Sequence, residues 1–124
     1  MTDTKKRKDV KLPVFDDADF LERIDGDVDL LKEVIEIFLE DTPRLLADLF
    51  AAIRRGDAGA IERAAHTLKG ATANISAKRL HALSQQVQQA AKNEGADSLE
   101  PWIHQFAENF DKLTQDLKKY LARC

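Results

Sequence analysis

Near the middle of the chain His66 stands three residues before Lys69 and four before Gly70, in the run Ala65-His66-Thr67-Leu68-Lys69-Gly70. Imidazole is largely neutral at neutral pH, and so a free nucleophile. On a helix, residues three apart share a face, which puts the Lys69 ammonium one turn from the ring. Gly70 and Ala73 fall on that same face and carry almost no side chain. Glycine inside a helix costs roughly 1 kcal/mol relative to alanine, and no turn is called for here. A bare backbone beside a nucleophile and a cation implies that something must approach closely.

The segment reads as a helix. Ile61, Ala65, Leu68, Thr72 and Ile75 recur at spacings of four, three, four and three, an inward stripe. The His66 stripe lies about 100° round from it, at the edge of the core or in water.

These residues resemble the histidine-containing phosphotransfer (HPt) family, whose signature is an alanine-histidine-x-leucine-lysine-glycine run on a helix. The resemblance runs from about Phe20 to about Leu121, in helix order as well as motif. It implies that His66 carries a phosphoryl group passed to and from aspartates of receiver domains. It also implies that Mg²⁺ and the acidic pocket come from the receiver. One departure bears on the local backbone turn: the family usually has glycine ten residues after the histidine, and here that position is Ser76.

For that chemistry Lys69 can swing its charge over the phosphate, and Gly70 and Ala73 clear the floor. Transfer itself mainly requires in-line positioning and charge neutralisation. Gln88 belongs to a stripe with Gln85 and Lys92 on the next helix. In similar family members a glutamine there hydrogen-bonds the non-reacting imidazole nitrogen, which would fix tautomer and ring orientation; a solvated glutamine is the competing reading. Arg63, Thr67, Gly70, Ala73 and Lys92 are the residues expected to meet the partner. Arg63 and the pair Lys78/Arg79 would add positive field, although solvation alone also accounts for them. His81 and His104 share no metal-ligand spacing with His66 or Cys124 and read as helix-surface residues. Trp102 reads as a core or bundle-end residue rather than a ligand platform.

The elements that must position this face are all helical. A short first helix is expected over 17–24, capped by Asp16 or Asp17, with Phe15, Phe20, Leu21 and Ile24 against the bundle end. The second opens at Asp27 and shows Leu31, Ile35, Phe38, Thr42, Leu45, Leu49 and Ala52/Ile53, a stripe that keeps its phase through Pro43. One helix bent at the proline follows from that phase, with Arg55-Gly56 as its end. Asp57 caps the third, which carries His66 to about Asn74. Ser76 is the expected N-cap of the fourth, with Leu80, Leu83, Val87 and Ala90/Ala91 inward and Gly95 at its end. Asp97 and Glu100 have capping-box spacing before a fifth helix lined by Trp102, Phe106, Phe110, Leu113, Leu117 and Leu121. No segment alternates with period two. The expected fold is therefore all-α: an antiparallel four-helix bundle with a short extra N-terminal helix.

Its 124 residues suit one domain, drawn as a basic tail over 1–14 and a bundle over 15–124. Residues 1–12 hold five bases against two acids, which leaves the rest of a chain of net charge −3 distinctly acidic and no nucleic-acid surface by bulk charge. The lone Cys124 makes no internal disulfide and points to a reducing, cytoplasmic setting. No apolar run approaches the ~20 residues a membrane span needs. No Gly-rich phosphate loop, G-x-S-x-G elbow or H-E-x-x-H motif is present, which argues against an autonomous kinase. The expectation is a phosphocarrier within a relay. The competing class is a helical interaction module in which His66 is never phosphorylated.

Overall fold

The computed structural model describes residues 12–96 and 99–123. Five helices follow one another: α1 (Asp17–Arg23), α2 (Val28–Arg55), α3 (Ala58–Asn74), α4 (Lys78–Glu94) and α5 (Glu100–Arg123), with no strand among the described residues. Three aspartates start the first three. Asp16, Asp27 and Asp57 each accept, at 3.1 Å, a hydrogen bond from the backbone N–H three residues on, satisfying a donor that the first helical turn leaves open. Gly56 ends α2 in the left-handed conformation at φ 70°, where a side chain would be strained. The expected cap Asp97 lies outside the described residues.

Helix α2 passes through Pro43 without a break. Its buried stripe is Leu31, Ile35, Phe38, Thr42, Leu46, Leu49, Ala52 and Ile53, so Leu46 takes the inward place expected of Leu45. The two lie about 60° and 40° either side of the Leu31 direction, and periodicity alone does not choose between them. Leu45 remains half-buried against the core. In α3 the inward residues are Ile61, Ala65, Leu68 and Thr72, followed by buried Ile75. In α5, Phe106, Leu113 and Leu117 are buried, while Trp102, Phe110 and Leu121 pack at the core's edge. The four long helices pack in a ring: α3 on α2 and α4, α5 on α2 and α4. The α3–α4 contact is the broadest.

Helix α1 is held over one end. Phe20 is fully buried, whereas Leu21, expected to face inward, is exposed. Phe15 meets Phe20 and, edge-on, Tyr120 of α5. The polar half of this junction centres on Ser76, which is not the N-cap of α4: Ala77 occupies that place and supplies no side-chain cap. Ser76 instead adopts φ 57°, a left-handed conformation that favours glycine. Its hydroxyl donates to Asp19 Oδ2 at 2.6 Å, and its carbonyl accepts from the Asp16 N–H at 3.0 Å. Lys78 adds ion pairs to Asp16 and Asp19 at 3.1 and 3.9 Å. Arg79 donates from its backbone N–H to Pro13 O and from Nε to Leu12 O, at 3.1 and 2.9 Å. These bonds tie Leu12 and Pro13 to the start of α4.

The Ser76 hydroxyl, foremost, then the Arg23 hydrogen bond and the charges of Lys78 and Arg23, hold Asp19 below the ordinary 3.8 of an aspartate, against an opposing effect of burial. A carboxyl depressed in the folded state stabilises above its unfolded pKa, and the contribution is lost as pH falls through the folded value. Ser76→Ala removes the hydroxyl and keeps the strained backbone, so it should melt below wild type at neutral pH. That gap should close as the pH falls below roughly 4. Thermal melts of both proteins across that range check this; a gap of constant width would place the effect in packing.

Candidate functional site

Helix α3 turns its buried stripe to the core and thereby holds His66 outward, exposed to solvent. Across the broad α3–α4 contact, Gln88 sets its Nε2 3.5 Å from His66 Nδ1. That distance is at the outer limit of a hydrogen bond, and amide oxygen and nitrogen exchange by a half-turn of the side chain's last bond. Ring and amide sit in an open depression of about 390 Å³ that Glu62, Arg63 and Thr67 complete. The Thr67 hydroxyl donates to the Arg63 carbonyl at 3.1 Å.

One turn on, Lys69 is half-buried and Gly70 exposed. A Cβ built on Gly70 would meet no atom within 4 Å, so nothing inside the domain requires glycine there. Ala73 is half-buried and lines a second groove, of about 250 Å³, with Leu12, His81 and Gln85 among others. Lys92 is exposed one turn beyond Gln88 and is not part of the His66 depression. The structure thus gathers His66, Gln88, Glu62, Arg63 and Thr67 in one hollow, while Lys69, Gly70 and Ala73 follow on α3 outside it.

Two expectations are corrected here. Lys78 and Arg79 are engaged in tying the N-terminal segment and α1 to the bundle, so they are not spare charge for a partner. His81 is not a simple surface histidine: its Nδ1 lies 3.0 Å from the backbone carbonyl of Lys69, and the ring is partly buried. His104 is exposed as expected.

One feature of this surface went unread in the sequence. Leu30 and Ile37 on α2 are 40% and 52% exposed. With Val34 they form a second apolar stripe beside Leu31, Ile35 and Phe38. An apolar groove of about 290 Å³ runs from Val34 and Ile37 to Ala71 and Asn74 of α3, the turn that follows Gly70. Thr42 lines it too, with a buried hydroxyl that has no hydrogen-bond partner. The adjacent pairs Leu30-Leu31, Val34-Ile35 and Ile37-Phe38 were the available signal, because a single core needs only one member of each.

The chemistry open to this face is group transfer through an exposed imidazole. One ring nitrogen has an amide partner, an ammonium stands one turn away, and the floor is clear for a bulky second reactant. Among the described residues no cluster of three or more His, Cys, Asp or Glu could hold a metal ion. Because the Gly70 position is open, Gly70→Ala should raise unfolding stability by up to about 1 kcal/mol, measured by urea titration. A loss of stability would mean that the backbone itself needs glycine.

A model of the Hpt domain matches residues 33–120. Two solved structures share the fold. The HPT domain of an Hpt sensor hybrid histidine kinase from Shewanella superposes with a TM-score of 0.78 at 20% identity, covering 90% of this chain and 96% of that one. Histidine-containing phosphotransfer protein B (HptB) of Pseudomonas aeruginosa PAO1 gives 0.81 at 26% identity, covering 90% and 97%. No curated protein sequence matches the chain.

Proposed function

The chain belongs to the Hpt domain family, and on that premise we propose that it is a phosphorelay intermediate, taking a phosphoryl group on His66 from the aspartyl phosphate of one receiver domain and passing it to the aspartate of another. Members of the family are phosphocarriers of two-component signalling rather than kinases. The observation that carries the residue assignment is the placement of His66: exposed, met at Nδ1 by Gln88, one turn from Lys69 and beside the open backbone of Gly70.

The step balances as a displacement at phosphorus. The Nε2 lone pair of neutral His66 attacks, an N–P bond forms, and the P–O bond to the donor aspartate breaks, returning that residue as a carboxylate. The ring must keep its proton on Nδ1, where the Gln88 amide oxygen accepts it after the half-turn that exchanges oxygen and nitrogen. The carboxylate of the second receiver reverses these bond changes. Lys69 offsets the charge on the phosphoryl oxygens, and Mg²⁺ belongs to the receiver's acidic pocket.

The docking face combines Arg63, Thr67, Gly70 and Ala73 with the α2 stripe of Leu30, Val34 and Ile37, with Lys92 at its margin. The frame supporting it is an antiparallel four-helix bundle with α1 laid over one end. No described helix is long and apolar enough to cross a membrane, and a cytoplasmic setting fits receiver partners. The exposed α2 stripe would equally serve a docking module without chemistry. Incubation with a phosphorylated receiver separates the readings, through the presence or absence of an acid-labile, base-stable phosphoryl group.

His66→Gln should abolish that label and leave the melt unchanged. Label retained on another histidine would overturn the assignment. Lys69→Ala should slow single-turnover transfer and shorten the life of the phosphohistidine without eliminating either. A charge pair at the surface is worth roughly 0–1 kcal/mol in the ground state, whereas developing charge in a partly dry docked site is felt more strongly. An unchanged rate would move the role to Arg63 or Lys92.

A further inference from the structure

We infer that His81 is a positioning residue for phosphotransfer, acting through the backbone carbonyl of Lys69 to set α4, and with it Gln88, against His66. The inference rests on the phosphotransfer reading and goes beyond it. A carbonyl oxygen only accepts, so the imidazole must hold a proton on Nδ1 and donate it across the 3.0 Å to Lys69 O. This fixes the His81 tautomer, with the ring beside Ala73 and Gln85 in the α3–α4 groove.

The anchored carbonyl belongs to the functional stretch of α3. It lies in the residue that carries the ammonium group, one step before Gly70, where the missing side chain leaves the helix more pliable. Thr72 braces the same turn, its hydroxyl donating to Leu68 O at 2.8 Å and Lys69 O at 3.1 Å. His81 adds the link to a second helix.

On α4, His81 and Gln88 are seven residues apart, two turns and about 10.5 Å along one face. One reaches the α3 backbone and the other the His66 ring. Apolar attraction between two helices is non-directional and does not by itself select a hydrogen-bonding register. A polar bond to a fixed carbonyl sets the register. The Gln88–His66 contact is already at 3.5 Å, so a slide of a few tenths of an ångström would lose it.

The test compares wild type, His81→Phe and His81→Asn. Phenylalanine keeps a flat ring and removes the donor; the asparagine Nδ2 occupies the place of the imidazole Nδ1 and restores it. Single-turnover transfer from a phosphorylated receiver is measured against receiver concentration, and the His66 ring nitrogens are followed by NMR in the unphosphorylated proteins. His81→Phe should lower the saturating rate on the order of tenfold, leave the half-saturating receiver concentration unchanged and shift the His66 ring signals. His81→Asn should return rate and signals close to wild type. A His81→Phe protein with wild-type rate and unchanged His66 signals overturns the inference, even if it melts lower. So does His81→Asn as impaired as His81→Phe, which would assign the effect to ring packing. Wild-type protein that takes no label defeats the phosphotransfer reading itself; the His66 signals of the variants then still show whether His81 sets that ring.

Discussion

The structure depends on a conflict at His66. The proposed role requires this histidine to be exposed, yet an exposed side chain on an isolated helix samples several rotamers. The broad α3–α4 packing resolves it. Burial of Ile61, Ala65, Leu68 and Thr72 on one side, and of Leu80, Leu83 and Val87 on the other, brings a second helix alongside without covering the ring. Gln88 then reaches Nδ1 of His66 from α4, which under the proposed function leaves Nε2 for the transfer. Orientation thus comes from the neighbouring helix, and access from the absence of anything above Gly70.

The junction at the end of the bundle shows how the same scaffold is closed. Ser76 adopts a conformation that costs a non-glycine residue of order 1–3 kcal/mol, at the position where the family usually has glycine. The strain is offset locally by what a glycine cannot supply, a hydroxyl donating to Asp19. That bond, with Lys78 on Asp16 and Asp19, converts a bare turn into the seat of α1. The departure from the family pattern leaves the turn in place and changes how it is held.

Features governed by local spacing were legible in the sequence. The aspartate caps at 16, 27 and 57, the left-handed Gly56, the continuous α2 through Pro43 and the inward stripe of α3 all follow from periodicity and end signals. The His66-Lys69-Gly70 face was legible for the same reason, since one helix sets its geometry. What escaped reading were particular contacts between different elements of the fold, apart from the Gln88–His66 approach that the family resemblance implies. The hydroxyl of Ser76 looks like an N-cap until Asp19, 57 residues earlier, arrives beside it. His81 looks like a surface residue until α3 brings the Lys69 carbonyl to its ring. Leu45 and Leu46 straddle the α2 stripe, and packing with neighbouring helices chose between them. The exposed Leu30 and Ile37 were legible in principle, because α2 carries more apolar surface than one core can bury.

That surplus bears on how a carrier must bind. On the proposed function, the carrier meets a donor and then an acceptor, and neither complex should be long-lived. Leu30 and Ile37 are already about half buried, and covering what remains of each recovers on the order of 1 kcal/mol per side chain. A patch of this size, with the half-buried Val34, supplies a few kcal/mol toward association, which itself costs an estimated 4–15 kcal/mol in lost freedom of motion. Polar contacts must make up the difference, and they favour the productive orientation because they are directional. The carboxylates Asp29, Glu33, Glu36, Glu40 and Asp41 are exposed on the same helix as the apolar stripe. An acidic receiver pocket would be repelled there and drawn toward Lys69. Under the proposed function, the apolar stripe would hold a receiver briefly while charge selects the alignment in which its aspartate and His66 face each other.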